Sequence, residues 1–249
     1  MKRLGLQSSI YNGLQLKDEI YTAKHHNIST FDIFFDTWSP SDIPEETYKL
    51  INELKESNQL FFTIHLPINF FELSYPEQQS FYSFIEFLKP KTITVHYNTL
   101  SYDLLKDLVN IAYYNNSILS VENTIPNNHN IYGTDFLAFM IEAKKMLEYS
   151  DTKDAFGATV DTGHSFVNGV SPDYYVTQLA KNGIKVSTVH LHDNDGNSDS
   201  HHPLGTGKID FYKFFQELEN TEQTPYFIIE HWNNFHLSIE YMKNLYIPK

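Results

Sequence analysis

Eight times along this chain a short apolar run is followed by a longer amphipathic one, and few folds accommodate that rhythm. The apolar runs fall at roughly 3–10, 30–37, 60–66, 92–97, 118–123, 157–162, 186–192 and 225–231. Helical patterns follow at roughly 15–27, 44–58, 76–88, 101–115, 134–149, 172–182, 210–219 and 234–246. Runs such as FFTI and YFII lack polar alternation, as expected of parallel strands covered on both faces. Eight β-then-α units that close on themselves need about 250 residues, and the chain has 249. The expectation is an α/β chain forming a single (β/α)8 TIM barrel, one domain over 1–249. A doubly wound open sheet is the structural alternative, but no G-x-G-x-x-G or P-loop glycine pattern supports it. Helix starts are marked locally. Ser171-Pro172-Asp173 offers a capping hydroxyl, a proline for the first turn and an acid after it, and Pro44-Glu45-Glu46 reads similarly.

Composition narrows the chemistry. With no cysteine, disulfides, thiolate metal sites and cysteine nucleophiles are excluded, so any metal must use nitrogen and oxygen donors. Nineteen Phe and seventeen Tyr give ample apolar surface for a core. The longest apolar runs are far too short to span a bilayer, and MKRLGLQSS lacks a secretory apolar stretch, so a cytoplasmic location is expected. Eighteen Lys and Arg face thirty-one Asp and Glu, a formal net charge of −13, which opposes general affinity for a phosphate backbone.

The chemical signal lies at the ends of the apolar runs. FFTI is followed by His65, TITV by His96, ILSV by Glu122, GATV by Asp161, VSTV by His190 and YFII by Glu230. In a parallel barrel these ends converge on one face, where active sites form. Two loops add donors: His164 stands three residues after Asp161, and Asp199 and His201 follow the seventh run. Imidazole and carboxylate are ordinary donors for zinc and manganese. Taken singly, a histidine at a strand end is more often a hydrogen-bonded core residue, and an acid there more often a cap or loop residue. Six together are hard to explain that way, because burying them jointly without a cation would be costly. His25, His26, His129 and His236 read as surface residues. His192, His202 and His231 adjoin proposed ligands and read equally as supporting or structural groups. Trp38 and Trp232 follow strands, where they would wall a pocket or pack the rim.

His65-Leu66-Pro67, Val121-Glu122-Asn123-Thr124, Asp161-Thr162-Gly163-His164, and the stretch from His190-Leu191-His192-Asp193 through Asp199-Ser200-His201-His202-Pro203-Leu204-Gly205-Thr206-Gly207-Lys208-Ile209-Asp210 together resemble the xylose isomerase-like TIM-barrel superfamily. The resemblance follows motif order along the whole chain, and the last stretch is its most specific part. The superfamily holds sugar or sugar-phosphate isomerases and epimerases as well as endonuclease IV-type abasic-site nucleases. The nuclease pattern implies one metal on His65, His96 and Glu122, a second on Glu122, Asp161, His190 and Glu230, and a third on His164, Asp199 and His201. The isomerase and epimerase branch implies a catalytic metal on Glu122, Asp161, His190 and Glu230 alone. The expected cofactor is therefore one to three divalent ions per chain, zinc or manganese.

Two enzymatic functions follow from the resemblance, with a third from a different class. The favoured expectation is a divalent-metal-dependent isomerase or epimerase of a sugar or sugar phosphate, with Glu122 and Glu230 as catalytic base and acid beside a polarised carbonyl. The alternative is an endonuclease IV-like trinuclear-zinc phosphodiesterase acting on abasic-site DNA. Three dications would outweigh the carboxylates Glu122, Asp161, Asp199 and Glu230 and suit a phosphate, whereas one dication among Glu122, Asp161 and Glu230 suits a neutral sugar. Short chain length, the LGLQSSIYNG start in place of Gly-Ser-His, and loops poor in Arg and Lys disfavour nucleic acid. A noncatalytic metal- or carbohydrate-binding barrel is the third possibility.

Overall fold

The computed structural model describes residues 3–9, 13–125 and 135–245. Residues 10, 134 and 246 of the expected elements, and His129, lie outside them. Eight strands, β1 (Leu4–Gln7), β2 (Thr30–Phe34), β3 (Phe61–His65), β4 (Thr92–His96), β5 (Ile118–Glu122), β6 (Phe156–Asp161), β7 (Val186–Leu191) and β8 (Tyr226–Ile229), pair in sequence order, all parallel. β1 pairs with β8, so the sheet is a closed barrel. The helices are α1 (Leu16–His25), α2 (Glu45–Glu56), α3 (Tyr75–Leu88), α4 (Tyr102–Tyr114), α5 (Phe136–Leu147), α6 (Thr162–Val167), α7 (Pro172–Lys181), α8 (Phe211–Asn220) and α9 (Phe235–Leu245). This is the expected (β/α)8 TIM barrel. No helix among the described residues is long and apolar enough to cross a membrane.

Local sequence explains where the helices begin. Ser74 and Glu77 form a capping box at the start of α3, with the Glu77 carboxylate accepting the Ser74 N–H at 2.9 Å. Ser101, Asp135 and Asp210 cap α4, α5 and α8 through side-chain oxygens. Two local expectations are corrected. Ser171 does precede Pro172 at the head of α7, but its hydroxyl donates to Asp173 and accepts no backbone N–H. The segment after Asp161, read as loop, opens with α6, because the Asp161 carboxylate accepts the His164 N–H at 2.6 Å and starts a short helix.

The barrel is filled differently at different depths. Outside it, Leu, Ile, Val and Phe side chains of strands and helices form the apolar core. Inside, one layer is polar: the buried Thr63 hydroxyl donates to Asp32 at 2.5 Å, Ser120 meets Thr159 and Ser187 at 2.6 Å each, and Thr188 donates to Thr92 at 3.0 Å. Asp32, Thr63, Ser120 and Thr159 sit two residues below the ends of β2, β3, β5 and β6, on the same face because alternate residues share one, and Thr92 lies four below the end of β4. The mouth therefore rests on a hydrogen-bonded floor, not an oily one.

Phe35, fully buried just past β2, ties the outer core to the mouth. Its ring lies 4.5 Å from Trp38, 5.1 Å from Phe81 and 5.5 Å from Phe84, edge-on to the last two. Truncation of this hub in Phe35→Ala is expected to cost about 3–5 kcal/mol in unfolding free energy, read by denaturant titration. A loss below about 1 kcal/mol would show that the cluster repacks around the gap.

Candidate metal centre

Strand register brings the chemical residues together. His65, His96, Glu122 and Asp161 are the last residues of β3 to β6, and Glu230 follows β8 directly. Register pairs His96 with Glu122 and Asp161 with His190, so each couple sits side by side on adjacent strands. All nine residues singled out in the sequence lie in one contact network. Glu122 lies 2.9 Å from His65 Nε2, 3.1 Å from His164 Nδ1, 3.4 Å from His190 Nδ1 and 3.8 Å from His96 Nε2. Glu230 approaches the same His190 Nδ1 at 3.4 Å from the other side. Asp199 lies 3.3 Å from His164 Nε2 and 3.0 Å from His201 Nε2.

Several of these groups are oriented as metal ligands usually are. Three imidazoles point Nδ1 at a backbone carbonyl: His65 at Leu66 (2.8 Å), His164 at Asn123 (3.1 Å) and His201 at Glu230 (2.7 Å). Each carbonyl can take the Nδ1 proton and leave the Nε2 lone pair facing the carboxylates, the outer-shell arrangement typical of ligating histidines. Asn123 clamps the Asp161 backbone, accepting its N–H at 2.8 Å and donating to its carbonyl at 3.0 Å.

Other polar atoms have no hydrogen-bond partner. Among the described residues these include both ring nitrogens of His190, Glu122 Oε1, Glu230 Oε2, His192 Nδ1 and Asp199 Oδ1, all buried. An unsatisfied buried polar group costs about 1–3 kcal/mol, and six in one place are an implausible deficit unless cations satisfy them. Among the described residues four sets of mutually close donors occur: His65, Glu122 and His190; Asp161, His190 and Glu230; Asp161, His164 and His192; His192, His201 and Glu230. The donor set therefore fits divalent cations. His96 and Asp199 touch the network but belong to none of these compact sets.

His192 is the group that sequence reasoning undervalued. It is fully buried and contributes to two of the four sets. The signal was available, since residues 190 and 192 are two apart at a strand end and alternate residues share a face. His202 pairs with Asp193 through two backbone hydrogen bonds, and His231, whose Nε2 contacts Ser238 Oγ at 2.8 Å, lines the cavity at the mouth. Burial lowers the His231 pKa to about 4. His25 and His236 are exposed and His26 packs edge-on against Phe235, away from the cluster.

The loop between β7 and α8, which carries Asp199 and His201, is held from beneath. Buried Asp193 accepts the N–H groups of Asn194 (2.9 Å), Gly205 (3.0 Å), Gly207 (2.8 Å) and Ile209 (3.1 Å). A Cβ on Gly207 would lie 2.4 Å from the Asp193 carboxylate, so a glycine is needed for this approach.

A cavity of about 560 Å³ opens above the cluster. Glu230, His65, His96, His164 and His201 line its base, with Ser8, Ser9, Phe34, Ile68, Trp232 and Asn233 among its walls. Trp232 thus walls this cavity, whereas Trp38 lines a smaller neighbouring one beside Asp36 and Asp42. Glu122 and Asp161 lie below the base. Across all eight segments linking a strand to the next helix the sequence holds one lysine, Lys208, and no arginine.

The profile of the xylose isomerase-like TIM barrel family matches residues 85–245, and the chain belongs to that family. Uncharacterized protein MJ1614 of Methanocaldococcus jannaschii is 27% identical over 189 residues, covering 67% of this chain and 69% of that protein. D-Allulose 3-epimerase from Methylomonas sp., solved in complex with D-allulose, has a TM-score of 0.70 at 15% identity, covering 98% of this chain and 97% of that one. The TTHB071 protein from Thermus thermophilus, soaked with ZnCl2, has a TM-score of 0.69 at 14% identity, covering 98% of each chain. At these identities the structural likeness is one of fold.

In the cation-free protein, burial would lower the pKa of His190, but the Glu230 and Glu122 charges outweigh it and push the value up to about 10. His201 rises to about 9, burial again being outweighed, here by Asp199 and Glu230. Because both folded values exceed the ordinary 6.5, their stabilisation is complete below about pH 6.5 and is lost as pH rises through 9 to 10. Cation-free protein is therefore expected to lose melting temperature across that window. Cation uptake near pH 8 should release more than one proton, since these imidazoles must be neutral to ligate. Calorimetry in buffers of different ionisation enthalpy reads the release, and an uptake without protons would contradict ligation by these histidines.

Proposed function

We propose that the protein is a divalent-metal-dependent isomerase or epimerase of a small sugar, acting by proton transfer beside a carbonyl. The observation that carries this reading is the placement of Glu122 and Glu230 on two sides of His190, each 3.4 Å from its Nδ1, beneath a sugar-sized cavity. Glu122, Asp161, His190 and Glu230 would hold the central cation. When bound, that cation supplies Lewis-acid polarisation of a substrate carbonyl and its neighbouring hydroxyl.

The remaining steps belong to the chain. Glu230 reaches the cavity and is placed to take a proton from the carbon beside the carbonyl. Burial raises its pKa, with His190 opposing and Asp161 reinforcing, which favours a carboxylate able to accept and hold a proton. Glu122 is also pushed upward by burial, but the charges of His190 and His96 outweigh that and hold it well below the usual range. Two carboxylates with different proton affinities across one site form an acid and base pair. Phe34, Ile68 and Trp232 offer apolar faces for the C–H side of a sugar, and Ser8, Ser9 and Asn233 offer hydroxyl partners. With one lysine and no arginine in the loops around the mouth, an uncharged sugar is favoured over a phosphorylated one.

Phosphodiester hydrolysis is the second reading, favoured by the gathering of all nine donors of the nuclease pattern in one network. It is the weaker one, because those same loops supply almost no cations to grip a phosphate backbone.

Incubation of metal-loaded protein with a panel of free and phosphorylated ketoses in deuterated water tests the proposal. Deuterium should enter beside the carbonyl of a free sugar, and Glu230→Gln should lower that exchange by at least about a hundredfold, since an amide cannot accept the proton. Efficient nicking of abasic-site duplex, with no exchange on any sugar, would replace this reading with the nuclease.

A further inference from the structure

We propose that the small cavity beside the mouth is a binding site for a second sugar residue, so that the ketose held above Glu230 carries a glycosyl group. The proposal rests on the sugar reading above and narrows the substrate class to a glycosylated ketose.

Two cavities lie side by side on this face of the barrel. The larger, of about 560 Å³, opens over the metal ligands, and the smaller, of about 290 Å³, lies between the β2–α2 and β3–α3 loops. They share Asp36 as a wall. The β3–α3 loop is the saddle between them, because Ile68 lines the larger while its neighbours Pro67 and Asn69 line the smaller. Ile68 is 45% exposed, an apolar side chain left open on that saddle. The smaller volume is near the lower end of the range for small-ligand pockets, about 300–1,000 Å³, and leaves room for one pyranose ring.

Trp38 marks this cavity as a site. Its side chain is 7% exposed, and its Nε1 is buried without a hydrogen-bond partner. A buried indole N–H normally finds an acceptor. Packing holds the ring in place: its centroid lies 4.5 Å from that of Phe35, and Cε3 and Cζ3 sit against Gly13, where an added Cβ would lie 3.0 Å from each. Nε1 is on the opposite edge of an indole from those two carbons. The N–H is therefore turned away from Gly13 and toward the cavity that Trp38 lines.

Other lining groups supply acceptors. Asp42 and Glu77 each hold a serine N–H of their own capping turn with one oxygen, Oδ2 at 2.8 Å from Ser39 and Oε2 at 2.9 Å from Ser74. Those bonds fix both carboxylates and leave Asp42 Oδ1 and Glu77 Oε1 to accept from a ligand. With Asp36 they oppose an anionic guest. An ammonium group could pair with the carboxylates but has no lone pair for the Trp38 N–H. A sugar hydroxyl both donates and accepts, so one glycosyl residue serves carboxylates and indole together. Pro67 and Leu73 offer apolar surface to its C–H face. The ring that bears the carbonyl stays above Glu230, and the glycosidic bond takes no part in the proton transfer.

The chain has two tryptophans, and each lines one of the cavities. Their two indole N–H signals in a proton–nitrogen correlation spectrum of zinc-loaded protein therefore report on the two sites separately, with Trp38→Phe or Trp232→Phe assigning them. The probes are the free ketoses D-fructose and D-tagatose and the glycosylated ketoses turanose, maltulose, lactulose and palatinose. At least one glycosylated ketose should move both signals, the Trp38 proton shifting downfield as it gains an acceptor, while the free ketoses should move the Trp232 signal alone. In calorimetric titrations Trp38→Phe should weaken binding of that glycosylated ketose about fivefold more than binding of a free one, as expected for one lost hydrogen bond. A Trp38 signal that no glycosylated ketose moves overturns the proposal, and so does one that free ketoses move equally. Both outcomes are read on the wild-type chain, so they decide the matter even where a variant binds or folds poorly. The two readings fail separately: glycosylated ketose that moves both signals without deuterium exchange sinks only the function proposed above, and exchange on a free ketose with Trp38 silent sinks only the second site.

Discussion

Buried like charges need a partner, and at the mouth of this barrel four carboxylates and six imidazoles are packed within a few ångströms of one another. Protons on the imidazoles offset part of the repulsion, as the raised His190 and His201 values record. They do not satisfy the geometry. Both nitrogens of His190 and one oxygen each of Glu122, Glu230 and Asp199 remain without a hydrogen bond. Divalent cations would supply the partners that protons alone leave out.

The rest of the structure can be understood as holding that cluster still. Beneath it the Thr and Ser layer of the barrel interior supplies a rigid, hydrogen-bonded base. Beside it Asn123 fixes the Asp161 backbone, and Asp161 in turn caps α6 and so places His164. Above it the long loop after β7 is gathered around Asp193, whose two oxygens take four backbone N–H groups. Rigid supports of this kind favour preorganisation over induced fit.

Charge is divided between the ends of the barrel. Arg3, Lys24, Lys55, Lys91, Lys153 and Lys185 lie at helix C-termini or just before strands, at the pole opposite the mouth. There the helix dipoles also favour cations. The mouth is left acidic, a field that attracts cations and opposes anions.

The sequence alone determined the architecture and picked out nine candidate donors that the fold brings into one network. Eight apolar runs with a donor behind six of them specify both a parallel barrel and a shared face, because parallel closure leaves distant strand ends nowhere else to go. It did not determine how those donors group. His192 reads from sequence as either support or structure, and only the folded ring, stacked on His201 and seated over Gly163, shows its Nδ1 facing Asp199. The helix after Asp161 was likewise hidden, since a six-residue element capped by the site's own carboxylate has no periodicity to detect. Periodicity and strand-end chemistry are properties of near neighbours in sequence. Which nitrogen meets which oxygen is set by loop closure and side-chain packing across as many as 165 residues, from His65 to Glu230, and that was decided by the tertiary structure.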